Sequence, residues 1–240
     1  MLDVLVRKLQ HGAILSPADI AALERSVTAV EGIAAREDMI AEGDRPEYVH
    51  VVLEGAACRY KLLADGSRQI MAWLVPGDFC DLHVAILGSM DHNIGALSDS
   101  KIALIRPEAV VKLTETSPAL SRALWWAALV DEAILREWLV GMGRRPADRQ
   151  IAHLFCELRD RLQAVGQAPG NVLRMPVTQL QLADTVGLTS VHVNRTLQEL
   201  RRRDLISWRG RSLTIKDVDG LQAFAGFDAN YLHLSKRAVA

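Results

Sequence analysis

The stretch from Thr178 to Arg203 constrains the fold of this 240-residue chain more than any other. Gly187 separates two segments in which apolar residues recur at helical spacing, and glycine adopts the left-handed conformation of a helix end without steric cost. Leu188 is the predicted apolar plug of the turn, and Thr189 or Ser190 is the predicted cap of the second helix. The predicted apolar positions are Leu180, Leu182, Ala183 and Val186, then Val191, Val193, Leu197 and Leu200. This pattern predicts a helix-turn-helix.

The polar face of the second predicted helix suits the major groove of DNA. Arginine pairs bidentately with guanine, asparagine pairs with adenine, and an apolar side chain contacts the thymine methyl group. The predicted base contacts are Ser190, Val191, Asn194 and Arg195. The predicted contacts to the DNA backbone, which position the protein without specifying sequence, are Thr178, Gln179, Thr189, His192, Arg209 and Arg211. The alternative is a surface hairpin of some other all-helical module, whose arginines only solvate the helix.

The residues that follow favour DNA binding. Leu205–Trp208 and Ser212–Ile215 are predicted strands joined by a tight turn at Arg209-Gly210, which would make a wing. Basic residues outnumber acidic ones between Arg174 and Lys216, whereas the net charge of the whole chain is −1. Positive charge is therefore concentrated where DNA would lie.

The run MPVTQLQLADTVGLTSVHVNRTLQELRRRDLISWRGR, residues 175–211, resembles the C-terminal domain of the Crp/Fnr family of bacterial transcription regulators. The resemblance implies a cytoplasmic homodimer that binds palindromic double-stranded DNA, with RNA polymerase as a further partner and no enzymatic activity. Cyclic-AMP-responsive members have Arg-Glu where this chain has Ser190-Val191. The carboxylate that reads cytosine is therefore missing, and the half-site should differ from the common one.

Residues 27–113 predict a β-sandwich or small barrel, because short apolar or alternating runs are separated by glycine turns. The predicted strands include residues 48–53, 57–62 and 69–74, and two short helices precede them, the second beginning at Ser16-Pro17. The segment is similar to the family's cyclic-nucleotide-binding β-roll, a jelly roll. The expected fold is thus α+β, with a sensor domain over residues 1–116, a long dimerisation helix over 117–143 and a winged helix-turn-helix over 144–240.

The β-roll departs from the pattern of members that bind cyclic AMP. In those members the sequence Pro-Gly-Asp-Phe, here Pro76–Phe79, is followed by Gly-Glu, whose Glu holds the ribose hydroxyl, and by Arg-Ser-Ala or Arg-Thr-Ala, whose Arg neutralises the phosphate together with backbone amides. This chain has Asp81-Leu82 and His92-Asn93-Ile94 at those positions. Because a bidentate guanidinium is lost, we expect cyclic-nucleotide binding to be lost or much weakened.

The replacements define a candidate effector pocket formed by Asp81, Leu82, His83, His92 and Asn93. It would take an anion, haem or a metal, unless these are ordinary loop residues. A metal-binding cupin enzyme fused to a winged helix is a further alternative. Against it, His50 is alone in an apolar strand, and residues 27–113 show no ligand cluster, paired carboxylates or nucleophile triad at workable spacing. No catalytic residue, resident metal or cofactor is therefore predicted.

The cysteines are three in number and far apart, which argues against a disulfide framework and favours small buried side chains. Residues 1–57 contain none of them, so Fnr-type iron–sulfur sensing is excluded. The chain lacks both an apolar run long enough to span a membrane and a signal-peptide pattern, which favours the cytoplasm and no membrane partner.

A long helix is predicted from Pro118 to Met142, with Trp125 and Trp126 widening its apolar face towards the β-roll. Its apolar stripe comprises Leu120, Ala123, Leu124, Ala127, Val130, Ile134, Leu135 and Trp138. The family resemblance implies that this helix is a dimer seam, packed as a parallel coiled coil. Burial within its own chain is the alternative. The segment Gly141–Pro146 is predicted to end the helix and to act as a hinge.

Overall fold

The computed structural model describes residues 2–174 and 177–234. Its N-terminal part contains α1 (Asp3–Leu9), α2 (Pro17–Ser26), β1 (Val27–Ile33), β2 (Asp38–Ile40), β3 (Val49–Glu54), β4 (Ala57–Leu62), β5 (Arg68–Leu74), α3 (Val84–Leu87), β6 (Asn93–Ala96), β7 (Ser100–Ile105) and α4 (Pro107–Thr116). The C-terminal part contains α5 (Pro118–Arg144), α6 (Ala147–Ala164), β8 (Val172–Arg174), α7 (Gln179–Val186), α8 (Ser190–Arg202), β9 (Ile206–Arg209), β10 (Ser212–Ile215), α9 (Val218–Ala225) and a 3-10 turn (Ala229–Leu232). The predicted α+β class is confirmed.

The N-terminal strands form two antiparallel sheets that pack face to face. One has the order β1-β7-β3 and the other β2-β6-β4-β5. Alternate residues of each strand point between the sheets, where Val52, Ile94 and Ile102 are buried together. The predicted β-roll is confirmed, including the strands over 48–53, 57–62 and 69–74.

The helices before the β-roll begin as the sequence predicts. Ser16 caps α2 by accepting a hydrogen bond from the Asp19 amide, and the Asp19 carboxylate bonds back to the Ser16 amide, with Pro17 in the first turn. In α1, Leu5 and Leu9 are fully buried against the β-roll and α5. These helices thereby fix the N-terminal end of the chain against the long helix.

The long helix α5 ends later than predicted. It continues through Gly141 and Gly143 to Arg144, and Arg145 takes the extended conformation. A glycine inside a helix costs only about 1 kcal/mol, whereas the residue before a proline is driven out of helical geometry. Pro146, not the glycines, therefore ends α5, and the predicted hinge is reduced to Arg145 and Pro146.

Most of the predicted apolar stripe of α5 is buried within its own chain. Its N-terminal part, from Leu120 to Ala127, packs on the β-roll and α1, and Val130 and Ile134 pack on the 3-10 turn. Trp125 does not face the β-roll as predicted, because its side chain is 65% exposed. Leu135 of the predicted stripe is also exposed. The helix thus has a second apolar face that its own chain leaves uncovered.

The C-terminal part is a winged helix-turn-helix. The three-stranded sheet has the order β8-β10-β9, and Ser212 pairs with Arg209 across the predicted tight turn at Gly210. Leu182, Val193 and Leu213 are buried where α7, α8 and the wing meet. The three cysteines are buried free thiols, as expected.

Direct contacts join the winged helix to the β-roll through β5 and α7. The Arg68 guanidinium donates a 2.8 Å hydrogen bond to the Asp184 carboxylate, and the Trp73 indole N–H donates a 2.9 Å bond to the Thr185 hydroxyl. Nowhere in residues 2–174 and 177–234 is a helix both long and apolar enough to cross a membrane.

Candidate nucleic-acid interface and effector cavity

The helix-turn-helix is built from local capping. Thr178 accepts a hydrogen bond from the Gln181 amide, and the Gln181 side chain bonds back to the Thr178 amide. Gly187 ends α7 in the left-handed conformation, with φ 66° and ψ 35°. Thr189, rather than Ser190, caps α8 by accepting a 3.2 Å hydrogen bond from the His192 amide. These caps set the angle at which α8 leaves the turn.

The predicted base-contacting residues share one face of α8. Ser190, Val191 and Arg195 are exposed and Asn194 is half-buried. The opposite face of the helix, with Val193 fully buried, packs into the domain. Val191 is 71% exposed, so it does not share the buried face of Val193 and its side chain is free to meet a base. Leu180 on α7 is likewise exposed rather than buried, and Leu188 is only partly buried.

The predicted backbone-contacting residues are also at the surface. Thr178, Gln179, Thr189, His192, Arg209 and Arg211 are all exposed. The Thr189 hydroxyl accepts a helix amide, which leaves its O–H group able to donate to a phosphate, whereas the Thr178 O–H donates a 3.2 Å hydrogen bond to the Gln181 side-chain oxygen. The start of the family-like run, Met175 and Pro176, lies outside the described residues.

Two of the three arginines at the end of α8 make contacts within the DNA-binding domain. Arg203 donates a 2.7 Å hydrogen bond to Glu199 and stacks over the Phe224 ring at 5.0 Å. Arg202 donates to the same carboxylate at 3.0 Å. These two guanidinium groups are thus held by their own domain, in contrast to the predicted base contact Arg195.

The predicted effector residues divide between a cavity and the protein interior. A cavity of about 440 Å³ lies between the β-roll and α5, and Leu82, His83 and His92 line it. Asp81 does not: it is fully buried and accepts hydrogen bonds from the amide and the Nδ1 of His50, at 2.6 and 2.7 Å. Asn93 does not line the cavity either, because its side-chain oxygen Oδ1 accepts a 3.0 Å hydrogen bond from the Glu42 backbone amide.

His50 is not alone in its strand, because its Nδ1 lies 2.7 Å from the Asp81 carboxylate, and this contact gives it a structural role. The two residues join β3 to the loop that follows Phe79. Asp81 therefore supports this loop, and its carboxylate points away from the cavity towards β3.

Arg59 is a cavity residue that the sequence analysis missed. Its Nε donates a 2.8 Å bond to the Cys80 carbonyl, Nη2 donates a 3.0 Å bond to the Phe79 carbonyl, and Nη1 pairs with Asp131 of α5. The only sequence signal was a basic residue within an apolar strand. Arg59 links the loop after Phe79 to the long helix, and each of its three guanidinium nitrogens has a partner in the protein.

Two histidines meet at the mouth of the cavity, as predicted. The ring centroids of His83 and His92 are 5.5 Å apart, and Asp91 lies 2.5 Å from Nδ1 of His92. Donor atoms of His83, Asp91 and His92 lie within 4.8 Å of one another. The prediction that residues 27–113 hold no ligand cluster is therefore wrong, because the fold brings α3 beside the loop before β6. Burial lowers the pKa of both imidazoles below its usual value.

The two halves of the chain match two domain families. Residues 31–117 match the family described as the cyclic nucleotide-binding domain, and residues 149–224 match the Crp-like helix-turn-helix domain. A β-roll of this kind, joined by a long helix to a winged helix-turn-helix, defines a DNA-binding transcription regulator and not an enzyme.

Relatives extend this match over most of the chain. The nitrogen fixation regulation protein FixK of Bradyrhizobium diazoefficiens is 30% identical over 189 residues, which cover 79% of this chain and 78% of that protein. The transcriptional activator protein FnrL of Cereibacter sphaeroides is 26% identical over 231 residues, covering 92% and 91%. The structure of FixK2 from Bradyrhizobium japonicum has a TM-score of 0.74 at 25% identity, covering 82% of this chain and 96% of that one. The chain belongs to the Crp/Fnr family, as its sequence predicted.

Proposed function

We propose that the protein acts in the bacterial cytoplasm as a homodimeric, sequence-specific regulator on palindromic DNA sites. The observation that carries the proposal is the face of α8 on which Ser190, Val191, Asn194 and Arg195 stand together, on a helix whose other face is buried. Arginine supplies the guanine contact, asparagine the adenine contact and valine the contact to a thymine methyl group. RNA polymerase remains a predicted partner.

The uncovered face of α5 supports a dimer. Trp125, Ala128, Leu135, Leu139 and Met142 are exposed at intervals of three, four and seven residues, which is the spacing of a coiled-coil seam. Glu132 lies in the same stripe and is exposed. Most of the predicted apolar stripe of α5 is covered by the β-roll and the 3-10 turn. The second stripe is therefore the one available to a second copy of the chain. Two parallel copies would then present two α8 helices about 34 Å apart, one helical turn of DNA.

The β-roll, in this proposal, has lost the usual contacts to the phosphate and ribose of a cyclic nucleotide. Leu82 stands at the position of the Glu that holds the ribose, and His92 stands at the position of the Arg that holds the phosphate, where its Nδ1 is engaged with Asp91. The cavity lining holds two cationic residues, Lys8 and Arg59, and each is paired with a carboxylate of the protein. An incoming phosphate would have to break one of these pairs, which disfavours it. A β-roll gated by a different effector, or still by a cyclic nucleotide, is the alternative.

The test is selection from a pool of random DNA duplexes, with and without cyclic AMP. We expect a two-fold symmetric site to be enriched equally in both conditions. Arg195→Ala should weaken binding to that site by roughly 1–3 kcal/mol and relax specificity at one base pair of each half-site. Arg202→Ala is the matched control on the same helix, and we expect it to leave the preferred sequence unchanged.

Three outcomes would count against parts of the proposal. Enrichment only in the presence of cyclic AMP would overturn the loss of nucleotide contacts. An asymmetric site would contradict the palindrome. Equal effects of Arg195→Ala and Arg202→Ala on sequence preference would remove the assigned role of Arg195.

A further inference from the structure

The cavity beside α5 contains two buried imidazole nitrogens without partners. Nε2 of His83 and Nε2 of His92 have no hydrogen-bond partner among the described residues. His92 is only 8% exposed. Buried polar side-chain atoms in proteins nearly always have a partner, so two orphaned nitrogens side by side indicate a ligand that accepts lone pairs. We propose that His83 and His92 bind a divalent transition-metal ion in this cavity, with Asp91 as the carboxylate that orients His92.

The distances suit one shared ion. The donor atoms of the cluster lie within 4.8 Å of one another and the ring centroids are 5.5 Å apart. Two nitrogens on one tetrahedral zinc ion are separated by about 3.4 Å, given bonds of about 2.0–2.1 Å. Small side-chain rotations of His83 and His92 would bring their donor nitrogens from their present separation to about 3.4 Å. The remaining coordination positions of the ion would then face the cavity.

Asp91 determines which nitrogen of His92 faces the ion. Its carboxylate lies 2.5 Å from Nδ1 of His92, so Nδ1 carries the proton and Nε2 keeps its lone pair. A carboxylate behind a ligating histidine is the common arrangement at metal sites, because it fixes the ring and makes the ligand more basic. Asp91 also supplies negative charge: 88% of its side chain is exposed, so a shift towards the ion meets little packing.

The charge of the lining favours a cation over an anion. The charged side chains of the lining are two cations, Lys8 and Arg59, and four carboxylates, Asp78, Asp91, Asp131 and Glu132. Lys8 and Arg59 are paired with Asp78 and Asp131, and Glu132 pairs with Arg136, so Asp91 is the lining carboxylate that has no lysine or arginine partner among the described residues. Imidazole ligands then select borderline ions such as Zn²⁺, Co²⁺ or Ni²⁺ over Mg²⁺ or Ca²⁺, which prefer oxygen.

The test is a titration of the full chain, first treated with a chelator, with Zn²⁺ and with Co²⁺, followed by calorimetry and by cobalt absorbance. We expect one ion to depend on this site. His83→Gln or His92→Gln should weaken that binding at least tenfold, and Asp91→Asn should weaken it roughly 10–100-fold. His233→Gln, at an exposed histidine elsewhere, is the control and should bind as the unsubstituted protein does. Mg²⁺ should not compete.

Two results would overturn the proposal. One is an absence of binding by the unsubstituted protein at millimolar ion. The other is binding that is unchanged in the His83→Gln, His92→Gln double variant, since the ion would then lie elsewhere. Glutamine retains hydrogen-bonding capacity at both positions, and the circular dichroism of each variant establishes that it is folded. Because the readout is ion binding, it is independent of the proposed DNA site.

Discussion

The guanidinium of Arg161 on α6 donates a 2.6 Å hydrogen bond to the carboxylate of Asp78 in the β-roll, and both side chains are buried. Arg161 also donates 2.8 Å bonds to Glu157 and to the Trp73 carbonyl. Burial alone would raise the pKa of Asp78, but Lys8 and Arg161 outweigh it and hold the pKa below its usual value. An ionised pair thus fastens the DNA-binding domain to the turn of the sensor domain.

Removing the arginine should destabilise the whole chain. Arg161→Met leaves the Asp78 and Glu157 carboxylates buried beside an apolar side chain, which costs about 3–5 kcal/mol of the free energy of unfolding. Lys101→Met is the control, because Lys101 is an exposed partner of Glu54 on the β-roll, where a surface pair contributes at most about 1 kcal/mol. Urea denaturation followed by circular dichroism measures both. Equal losses in the two variants would show that the buried pair is not needed for stability.

The exposed stripe on α5 predicts the oligomeric state of a variant. Leu139 is 72% exposed and Val140 is 49% exposed, but adjacent residues of a helix point roughly 100° apart. Leu139→Glu puts a charge into the proposed seam and should yield monomers, whereas Val140→Glu lies beside the seam and should leave the dimer largely intact. Sedimentation velocity at micromolar protein distinguishes these species. A monomeric unsubstituted protein, or dissociation of both variants alike, would contradict the seam.

The features that the sequence predicted are those set by local chemistry. Gly187 and the threonine caps specify the turn of the helix-turn-helix within a few residues, so the pattern alone located it. The β-roll followed from short strands and glycine turns. The family resemblance then supplied what no local pattern contains, the expected roles of α5 and α8.

The misses arise from contacts between residues distant in the chain. The pairing of His50 with Asp81 and of Arg59 with Asp131 depends on how strands and loops are brought together. The apolar stripe of α5 allowed two interpretations, a dimer seam and burial within its own chain, for a related reason. Helical periodicity identifies an apolar face, but a face that packs on its own β-roll and one that packs on a partner give the same signal.

Buried His153 predicts a pH-dependent stability. It packs against Phe227 and Tyr231, and its Nε2 lies 3.3 Å from Glu137 but outside hydrogen-bond geometry. Burial, followed by the charge of Arg145, lowers the pKa of His153 to about 4. In the unfolded chain His153 takes up its proton near the ordinary pKa of about 6.5. The free energy of unfolding should therefore decrease as the pH is lowered from about 6.5 to about 4.

His153→Phe tests this directly, because it keeps an aromatic ring and removes the proton site. Denaturation curves at several pH values between 7.5 and 4 should show the unsubstituted protein losing roughly 1 kcal/mol per pH unit more than the variant. Groups that titrate in both proteins cancel in the comparison. Parallel pH profiles would show that His153 is protonated in the folded protein at an ordinary pKa.

The contact between β5 and α7 predicts how readily the linker is cleaved. Only Arg145 and Pro146 separate α5 from α6, and Trp73 ties the winged helix to the β-roll through Thr185. Trp73→Phe removes one buried hydrogen bond, worth about 1 kcal/mol, and so increases the population in which the domains separate by roughly fivefold. Trypsin should then cut after Arg144 about that much faster, because cleavage follows the open population. Trp208→Phe is the control, since the Trp208 N–H bonds to Gly210 within the wing. If both variants are cut at the rate of the unsubstituted protein, the contact between Trp73 and Thr185 does not restrain the linker. If the segment between Met142 and Ala147 is never cut, even without DNA, the predicted hinge is wrong.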